Sequence, residues 1–348
     1  MSSTLTRTRA LPDWDSLTFA FTETDWIYRS LGDTERDLVW DAGAIAPYGG
    51  IELTPAAAVM SYGLGIFEGL KAFRREDGAV QLFRPDMNAV RFQRSAERLA
   101  LAPFPAGQFV DACARLVDAN REWVPPYGKG TFYIRPMEHA TEARLGFGRC
   151  RAFAVTMYGS PVGAVKTAGT EGLRLRVVEQ ARVAPGGTGA AKAMGNYAGG
   201  VFVADPWKRQ GFDDVLYLDA RETAYVTETS GANLFAVLKD GRLVTPPLDD
   251  QIMPGVTRDS AIVVARTLLG LTVEERRLGV EELLTDAVEV FCTGTAWTVR
   301  SVREIAHRDR TARYARQDVC AQLWEVISGV QSGRRDDPFG LTREVPRR

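Results

Sequence analysis

The stretch GGTGAAKAMGNYAGG, residues 186–200, surrounds one lysine, Lys192, with small residues. Six of its residues are glycine and four are alanine, so the long side chain of Lys192 has little beside it to pack against. Glycine clusters are typical of turns, and one interpretation is a solvated lysine on a surface loop. The other is that the small residues leave room for a group that approaches the backbone closely. The rest of the chain has to decide between them.

The composition is that of an ordinary globular protein with room for two domains. The 348 residues are 45% hydrophobic and 25% charged, with a net charge of −1, which allows two sizeable cores. This balance offers no broad basic surface for nucleic acid. Apolar runs such as AIVVA at 261–265 are too short to span a bilayer. We therefore predict neither nucleic-acid nor membrane partners.

Cysteine and histidine usage argues against a metal site. The four cysteines show no ligand spacing, and the two histidines are His139 and His307, so we predict no bound metal. The start of the chain, MSSTLTRTRALPDW, faintly resembles an organelle transit peptide but lacks the apolar core of a secretory signal. Unpaired cysteines indicate a reducing compartment, and we predict a cytoplasmic location.

Strand and helix patterns fall into two mixed α/β groups. Apolar residues three and four apart predict helices within 85–101, 107–123 and 257–270, and short apolar runs between turns predict strands around them. The stretch SPVGAVKTAGTEG is rich in Gly, Ala and Pro, as interdomain connections are. We predict a small N-terminal α/β domain at 1–160, a linker at 161–175 and a large C-terminal domain at 176–348.

Three features downstream of Lys192 offer what a phosphorylated aromatic cofactor needs. Glu228 ends a predicted strand, MPGVTRDS (253–260) begins a helix whose N–H groups can bind phosphate, and the turn in VFCTGTAWTV (290–299) can add further donors. Together they indicate pyridoxal 5′-phosphate, which needs a lysine amine for attachment and a carboxylate to keep its ring nitrogen protonated. Each motif alone is common in ordinary turns and helix starts, so the prediction depends on their combination.

With these motifs assembled, the chain resembles the branched-chain amino acid aminotransferases, which are fold-type IV pyridoxal-phosphate enzymes. The shared blocks follow in order through nearly the whole chain: GLGIFEGLKAFR, LFRPDMNAVRFQRSAERL, FYIRP, TEARLGFG, GGTGAAKAMGNYAGG, TPPLDDQIMPGVTRDS and EVFCTGTA. The resemblance implies an α/β (α+β) fold with a smaller N-terminal domain and a larger, cofactor-binding C-terminal pseudo-barrel domain. It also implies a homodimer whose active sites borrow residues from the partner subunit.

Carried over position by position, the resemblance implies a role for each matching residue. Lys192 matches the catalytic lysine that carries the cofactor. The other cofactor-binding positions are Arg91, Tyr197, Glu228, Val256, Thr257 and Thr295. The substrate positions are Tyr62 (acting in the partner's site), Phe67, Tyr133, Arg135, His139, Gly231, Ala296 and Trp297.

The implied activity moves an amino group between a branched-chain or related hydrophobic L-amino acid and 2-oxoglutarate in a ping-pong reaction. Lys192 would transfer the α-proton, and Arg135 would accept the side-chain carboxylate of glutamate. The alternatives are a D-amino acid aminotransferase, an aminodeoxychorismate lyase or a non-catalytic relative. The first two share these blocks less fully, and retention of Lys192, Tyr197 and Glu228 argues against the third.

Several positions depart from the family pattern. Glu138 and His139 stand where aliphatic or aromatic residues are usual, Trp297 where a small residue or cysteine is common, and Gly231 where threonine is common. The redox CxxC of some animal members is absent, since its positions hold Trp297 and Arg300. His139 could be a satisfied core histidine and Trp297 a space-filler. The alternative hypothesis is an aminotransferase of a specialised pathway that acts on a non-standard, aromatic or polar amino acid.

Overall fold

The computed structural model describes residues 7–35, 39–164 and 171–347. Its contacts divide the chain into two compact units. Unit 1 consists of Met1–Ala164, Ala191–Met194 and Val330–Arg348, and unit 2 consists of Val165–Ala190 and Gly195–Gly329. Lys192 therefore belongs to unit 1, although the residues on either side of its short segment belong to unit 2.

Unit 1 is built on an eight-stranded antiparallel sheet. Its strands are β1 (Trp26–Asp33), β2 (Ala44–Pro47), β3 (Gly65–Phe67), β4 (Leu70–Arg74), β5 (Val80–Phe83), β6 (Gly130–Ala140), β7 (Ala152–Gly163) and the C-terminal β18 (Thr342–Glu344). They are ordered β18-β5-β4-β6-β7-β1-β2, with β3 pairing with β6. Along β6, Phe132 and Ile134 are buried in the core, whereas Tyr133 and Arg135 are half-buried on the opposite face.

Helices cover the apolar face of this sheet. They are α1 (Ala58–Tyr62), α2 (Pro85–Arg98) and α3 (Ala106–Ala119), followed by a 3₁₀ turn at Arg121–Trp123. The proline at the first position of α2 needs no backbone donor there and has the φ angle that a helix requires. Phe109, Cys113 and Leu116 of α3 are buried on one face, which confirms the helical pattern predicted for this stretch.

Unit 2 is built on a ten-stranded mixed sheet that closes on itself. Its strands are β8 (Leu173–Val178), β9 (Asp214–Leu218), β10 (Tyr225–Thr229), β11 (Asn233–Leu238), β12 (Leu243–Thr245), β13 (Val273–Glu275), β14 (Leu278–Gly279), β15 (Ala287–Gly294), β16 (Thr298–His307) and β17 (Arg310–Arg313). The order β11-β15-β16-β8-β9-β10 returns to β11 through the pair Glu228–Asn233. The predicted pseudo-barrel is therefore present, and Glu228 lies where it closes.

The helices of unit 2 are α4 (Gly195–Lys208), α5 (Val256–Thr267), α6 (Val280–Thr285) and α7 (Asp318–Ser332), the last of which continues into unit 1. Helix α5 buries Ala261, Val264 and Ala265 as its periodicity predicts, but Leu268 is 50% exposed. Among the described residues, no helix is long and apolar enough to cross a membrane.

The α/β class predicted from the sequence is confirmed. The predicted domain boundaries stay a prediction. Strand β7 extends to Gly163 and β8 begins at Leu173, so both ends of the predicted 161–175 linker lie in strands. Residues 165–170 of that linker lie outside the described residues.

Candidate active site

Lys192 is held in unit 1 by backbone interactions. Its N–H donates to Ser95 Oγ at 2.9 Å, and its carbonyl accepts the N–H of Phe67 at 3.1 Å. Ala193 forms a β-bridge with Ile66 of β3. The side-chain amine lies 4.7 Å from the centroid of the Phe67 ring, a cation–π distance. These backbone interactions hold the segment in unit 1.

Two predicted substrate residues, Tyr133 and Arg135, lie beside the Phe67 ring in unit 1. The Arg135 guanidinium lies 4.9 Å from the Phe67 ring centroid and 5.2 Å from that of Tyr133. Its Nη2 donates to Tyr133 Oη at 3.0 Å. Because residues two apart on a strand share a face, Tyr133 and Arg135 present a phenol and a cation together beside Phe67, a suitable surface for a carboxylate.

Arg91, predicted to bind phosphate, is paired with a carboxylate that was not predicted as a site residue. Its Nε and Nη2 lie 2.6 and 2.8 Å from the two oxygens of Glu68, a bidentate arrangement. Asn88 donates to the same carboxylate at 2.7 Å. Burial opposes the charge of Glu68, but Arg91, Lys192 and Asn88 together outweigh it and hold its pKa below the usual value. Glu68 therefore fixes the orientation of Arg91.

Tyr62, predicted to act in the partner's site, lies in an exposed aromatic cluster of unit 1. Its hydroxyl donates to the carbonyl of Leu145, and its ring meets that of Phe147 edge-on with centroids 5.8 Å apart. Leu145 is 92% exposed and Phe147 is 82% exposed. Such apolar exposure is typical of an interaction surface.

His139 and Glu138 are both buried on β6, on opposite faces. His139 is 4% exposed and its Nε2 has no hydrogen-bond partner; burial lowers its pKa, which favours the neutral imidazole. It continues the face that carries Tyr133 and Arg135. Glu138 is fully buried with neither oxygen bonded, and burial raises its pKa well above the usual value.

Glu228 is the centre of the predicted site residues in unit 2. The carboxylate is almost fully buried and accepts hydrogen bonds from Asn233 Nδ2 and the Met253 N–H, both at 3.0 Å. Arg182 Nη2 lies 2.7 Å from Glu228 Oε1. This ion pair favours the charged carboxylate. Glu228 was predicted from the sequence, but Arg182 was not.

Asn233 connects Glu228 to the start of helix α5. Its amide also donates to the Met253 carbonyl at 2.9 Å, and a Cβ on Gly255 would lie 2.0 Å from Asn233 Oδ1. Glycine is therefore required at the position that caps α5. Val256 and Thr257, the predicted phosphate ligands, occupy the first turn of that helix, where backbone N–H groups are available to an anion.

The turn after β15 lies beside the same residues. Thr293 pairs with Asn233 across β15 and β11, so their side chains share a face. The Thr293 hydroxyl is buried without a hydrogen-bond partner. Thr295 and Ala296 follow it in the turn, and Trp297 packs on the core of unit 2.

Two further predicted positions lie in less enclosed surroundings of unit 2. Tyr197 is half-buried in the first turn of α4. Gly231 is exposed, and a Cβ there would meet nothing within 4 Å. The glycine is thus not required by packing, and the family's threonine would fit.

These features fit pyridoxal phosphate. Unit 2 offers a buried charged carboxylate, a helix start and an unpaired buried hydroxyl, while unit 1 offers a lysine amine and an oriented arginine. A metal would need clustered carboxylates, thiols or imidazoles, and the described residues contain no such group. Each unit therefore carries groups of the kind predicted from the sequence for a pyridoxal-phosphate enzyme.

Comparison with known proteins identifies the family. Residues 65–305 match the model for amino-transferase class IV. The chain is 42% identical over 96% of its length to the mitochondrial branched-chain amino acid aminotransferase 1 of Humulus lupulus and to that plant's chloroplastic aminotransferase 2, covering 84% and 81% of them. It is 38% identical to the methionine aminotransferase BCAT4 of Arabidopsis thaliana, with 96% of this chain and 94% of that protein covered.

Solved structures agree. The branched-chain aminotransferase of Thermoproteus uzoniensis, solved with norvaline, is 27% identical with a TM-score of 0.77, covering 92% of this chain and all of that one. The branched-chain amino acid aminotransferase of Escherichia coli is 26% identical with a TM-score of 0.77, covering 93% of this chain and 99% of that one. The chain belongs to the class IV aminotransferases. It is an enzyme, an aminotransferase of the branched-chain type, and the predicted family and fold type are confirmed.

One prediction is wrong. The relatives from Humulus lupulus are named as mitochondrial and chloroplastic, which contradicts the cytoplasmic location. That prediction was drawn from unpaired cysteines, and reduced thiols are equally compatible with the interior of these organelles, so they could not support it.

Proposed function

We propose that this chain transaminates branched-chain L-amino acids with 2-oxoglutarate as acceptor and pyridoxal 5′-phosphate as cofactor. The observation that carries the proposal is Glu228, a buried carboxylate whose Oε1 lies 2.7 Å from Arg182 Nη2. A charged carboxylate in a nearly dry position is costly unless it has a cationic partner. Its place at the closure of the barrel suits the protonated ring nitrogen of the cofactor.

The other groups that hold the cofactor follow from their chemistry. Lys192 would carry it through the side-chain amine, and Tyr197 would hydrogen-bond its ring hydroxyl. The groups that would bind its phosphate are Arg91, the N–H groups at Val256 and Thr257, and the Thr295 turn. When bound, pyridoxal phosphate supplies an electron-accepting ring that stabilises negative charge at the substrate α-carbon.

The chain's own residues perform the proton transfer and choose the substrate. Once the substrate amino group has replaced it, the free Lys192 amine would remove the proton from the α-carbon as a base and then, as an acid, deliver it to the cofactor rather than back to the α-carbon. The turn at Thr295 and Ala296 presents N–H groups to the α-carboxylate. Phe67 and Tyr133 give an apolar surface for a branched side chain, and Arg135 pairs with the second carboxylate of glutamate.

We propose that the enzyme acts as a homodimer. Leu145 and Phe147 are highly exposed, and an exposed apolar cluster is typical of an interaction surface. Tyr62 joins the cluster through the hydrogen bond from its hydroxyl to the Leu145 carbonyl and through its ring contact with Phe147. A second copy of the chain covering this cluster would bring Tyr62 to the neighbouring site. Size-exclusion chromatography with light scattering tests this, and Phe147→Asp should shift the mass toward the monomer.

A donor panel tests the substrate. Purified protein with added pyridoxal phosphate and 2-oxoglutarate is assayed with each L-amino acid for kcat/KM. Leucine, isoleucine and valine should lead the panel. D-amino acids or aromatic donors in the lead would contradict the proposal.

His139 favours a second, narrower candidate, an aminotransferase for a polar or sulfur-containing amino acid. Its buried, unpartnered Nε2 lies on the face of Tyr133 and Arg135, and one relative is named as a methionine aminotransferase. His139→Phe should then raise the relative rate on leucine several-fold. An unchanged ranking across the panel would reject this candidate.

A further inference from the structure

Arg182 of unit 2 has no role in the predicted site, yet it is bonded to several parts of it. Its side chain is 7% exposed, and Nη2 lies 2.7 Å from Glu228 Oε1. The same nitrogen donates to the carbonyls of Gly189 and Gln251 at 2.8 and 2.7 Å. One guanidinium thus contacts the predicted cofactor carboxylate and two separate stretches of backbone.

The first of those stretches leads directly to the 191–194 segment. Gly189 packs so closely on the second stretch that a Cβ would lie 2.5 Å from the Asp250 carbonyl oxygen and 2.7 Å from Gln251 Cα. The N–H of Gly186 donates to the Asp250 carboxylate. The glycines of 186–189 are therefore explained in part by backbone packing within unit 2.

The second stretch also reaches Glu228. The N–H of Met253, two residues after Gln251, donates to Glu228 Oε1, the oxygen that faces Arg182. Any movement of Arg182 would affect the carboxylate directly and through this backbone.

We propose that Arg182 is a positioning residue that keeps Glu228 charged and correctly placed toward the cofactor's ring nitrogen. This inference rests on the proposed function, in which Glu228 bonds that nitrogen. Stability alone is a weak reason for such a pair, because a buried ion pair often gives no more stability than apolar residues of similar volume. An opposite charge 2.7 Å from a buried carboxylate, in contrast, favours its charged form.

The test compares Arg182→Met, Arg182→Lys, Glu228→Gln and the double variant Arg182→Met/Glu228→Gln. Each is loaded with pyridoxal phosphate, and two quantities are measured: the dissociation constant of the cofactor and the pH midpoint of its visible absorbance band. Arg182→Met should weaken cofactor binding at least about tenfold and shift the midpoint by about one pH unit or more. Arg182→Lys, which restores the charge, should recover most of the midpoint shift.

The double variant separates positioning from general damage. If Arg182 acts through Glu228, Arg182→Met changes neither quantity further once Glu228 is neutral. The matched control is Arg258→Met, which removes another buried arginine of unit 2, paired with Glu275; it should lower stability without moving the midpoint. A wild-type midpoint in Arg182→Met, or full additivity in the double variant, would overturn the inference.

Thermal melting without cofactor keeps this test independent of the proposed function. An unpaired Glu228 would resist ionisation in the folded state, so Arg182→Met should melt increasingly below wild type as the pH rises from about 5 to about 8, and the double variant should not. Equal pH profiles for Arg182→Met and wild type would overturn the inference. A wild-type protein that never acquires the visible band would refute the proposed function instead, while this melting comparison would still decide the ion pair.

Discussion

Each unit buries one glutamate against one arginine, and the two pairs divide their work in opposite ways. In unit 1, Arg91 is the predicted ligand and Glu68 orients it. In unit 2, Glu228 is the predicted ligand and Arg182 supports it. The phosphate of the cofactor needs a cation, and its ring nitrogen needs an anion. In both cases the supporting residue satisfies a charge that would otherwise be costly to bury.

The largest effect is expected for Lys192→Ala. Because backbone bonds to Ser95 and Phe67 hold the segment, the variant should fold normally yet lose at least about 10³-fold in kcat, as the proton-transfer group is gone. Steady-state kinetics measures kcat, and a melting curve shows whether the variant folds normally. The exposed Lys239→Ala is the control. Activity within about tenfold of wild type would remove Lys192 from the mechanism.

Glu68→Gln tests the unit 1 pair. Removing one partner of a buried ion pair leaves a buried charge uncompensated, which typically costs about 3–5 kcal/mol of unfolding free energy. Urea denaturation measures this cost. We also expect the dissociation constant for pyridoxal phosphate to rise at least about tenfold, because Arg91 loses its orientation.

The control for this variant is Glu122→Gln, whose side chain is 65% exposed and pairs with Arg7. A surface pair of this kind contributes about 1 kcal/mol or less. If Glu68→Gln and Glu122→Gln lost equal stability and bound the cofactor equally, Glu68 would not be the residue that supports Arg91.

Glu138 is the contrasting case, a buried carboxyl without a partner. Burial raises its folded-state pKa well above the usual 4.5, so the folded protein keeps a proton that the unfolded chain releases. Stability is therefore full below about pH 4.5 and falls as the pH rises toward the folded-state pKa, by up to about 1.4 kcal/mol per pH unit.

Glu138→Gln should remove this dependence. Unfolding free energies at about pH 5.5 and 7.5 should fall less for the variant than for wild type, by up to roughly 2–3 kcal/mol. Exposed Glu52→Gln controls for the loss of one negative charge. Parallel profiles would show that Glu138 has a partner in solution.

The smallest effects are expected at two glycines. Gly189→Ala places a methyl group against the backbone of 250–251 and should cost about 1–3 kcal/mol. Gly199→Ala, inside α4 with no neighbouring atom within 4 Å, should gain up to about 1 kcal/mol. The melting temperatures of the two variants are compared with that of wild type. Equal shifts for both variants would mean that close packing does not explain Gly189.

The sequence indicated the architecture where local patterns were strong. The helical spacing of α3 was visible because this helix has one buried face. Helix α4 was not predicted, since Gly199, Gly200 and Pro206 disfavour a helix and only tertiary context overrides them. The ordered sequence blocks indicated the family, and the comparisons confirm it. The individual site roles and the dimer stay predictions.

The supporting residues Glu68 and Arg182 could not be identified from local patterns. Glu68 was within a recognised block, but nothing in the sequence pairs it with Arg91, 23 residues later. Arg182 and Glu228 are 46 positions apart (228 − 182) and meet only when the barrel strands are in place.

The most direct test of the account is to find which lysine holds the cofactor. Wild-type protein loaded with pyridoxal phosphate is reduced with borohydride, digested and mapped by mass spectrometry. Lys71 is a natural competitor because it is almost fully buried and burial lowers its pKa to about 8. The account predicts one phosphopyridoxyl group per chain, on the peptide that contains Lys192. A label on Lys71, or none at all, would contradict it.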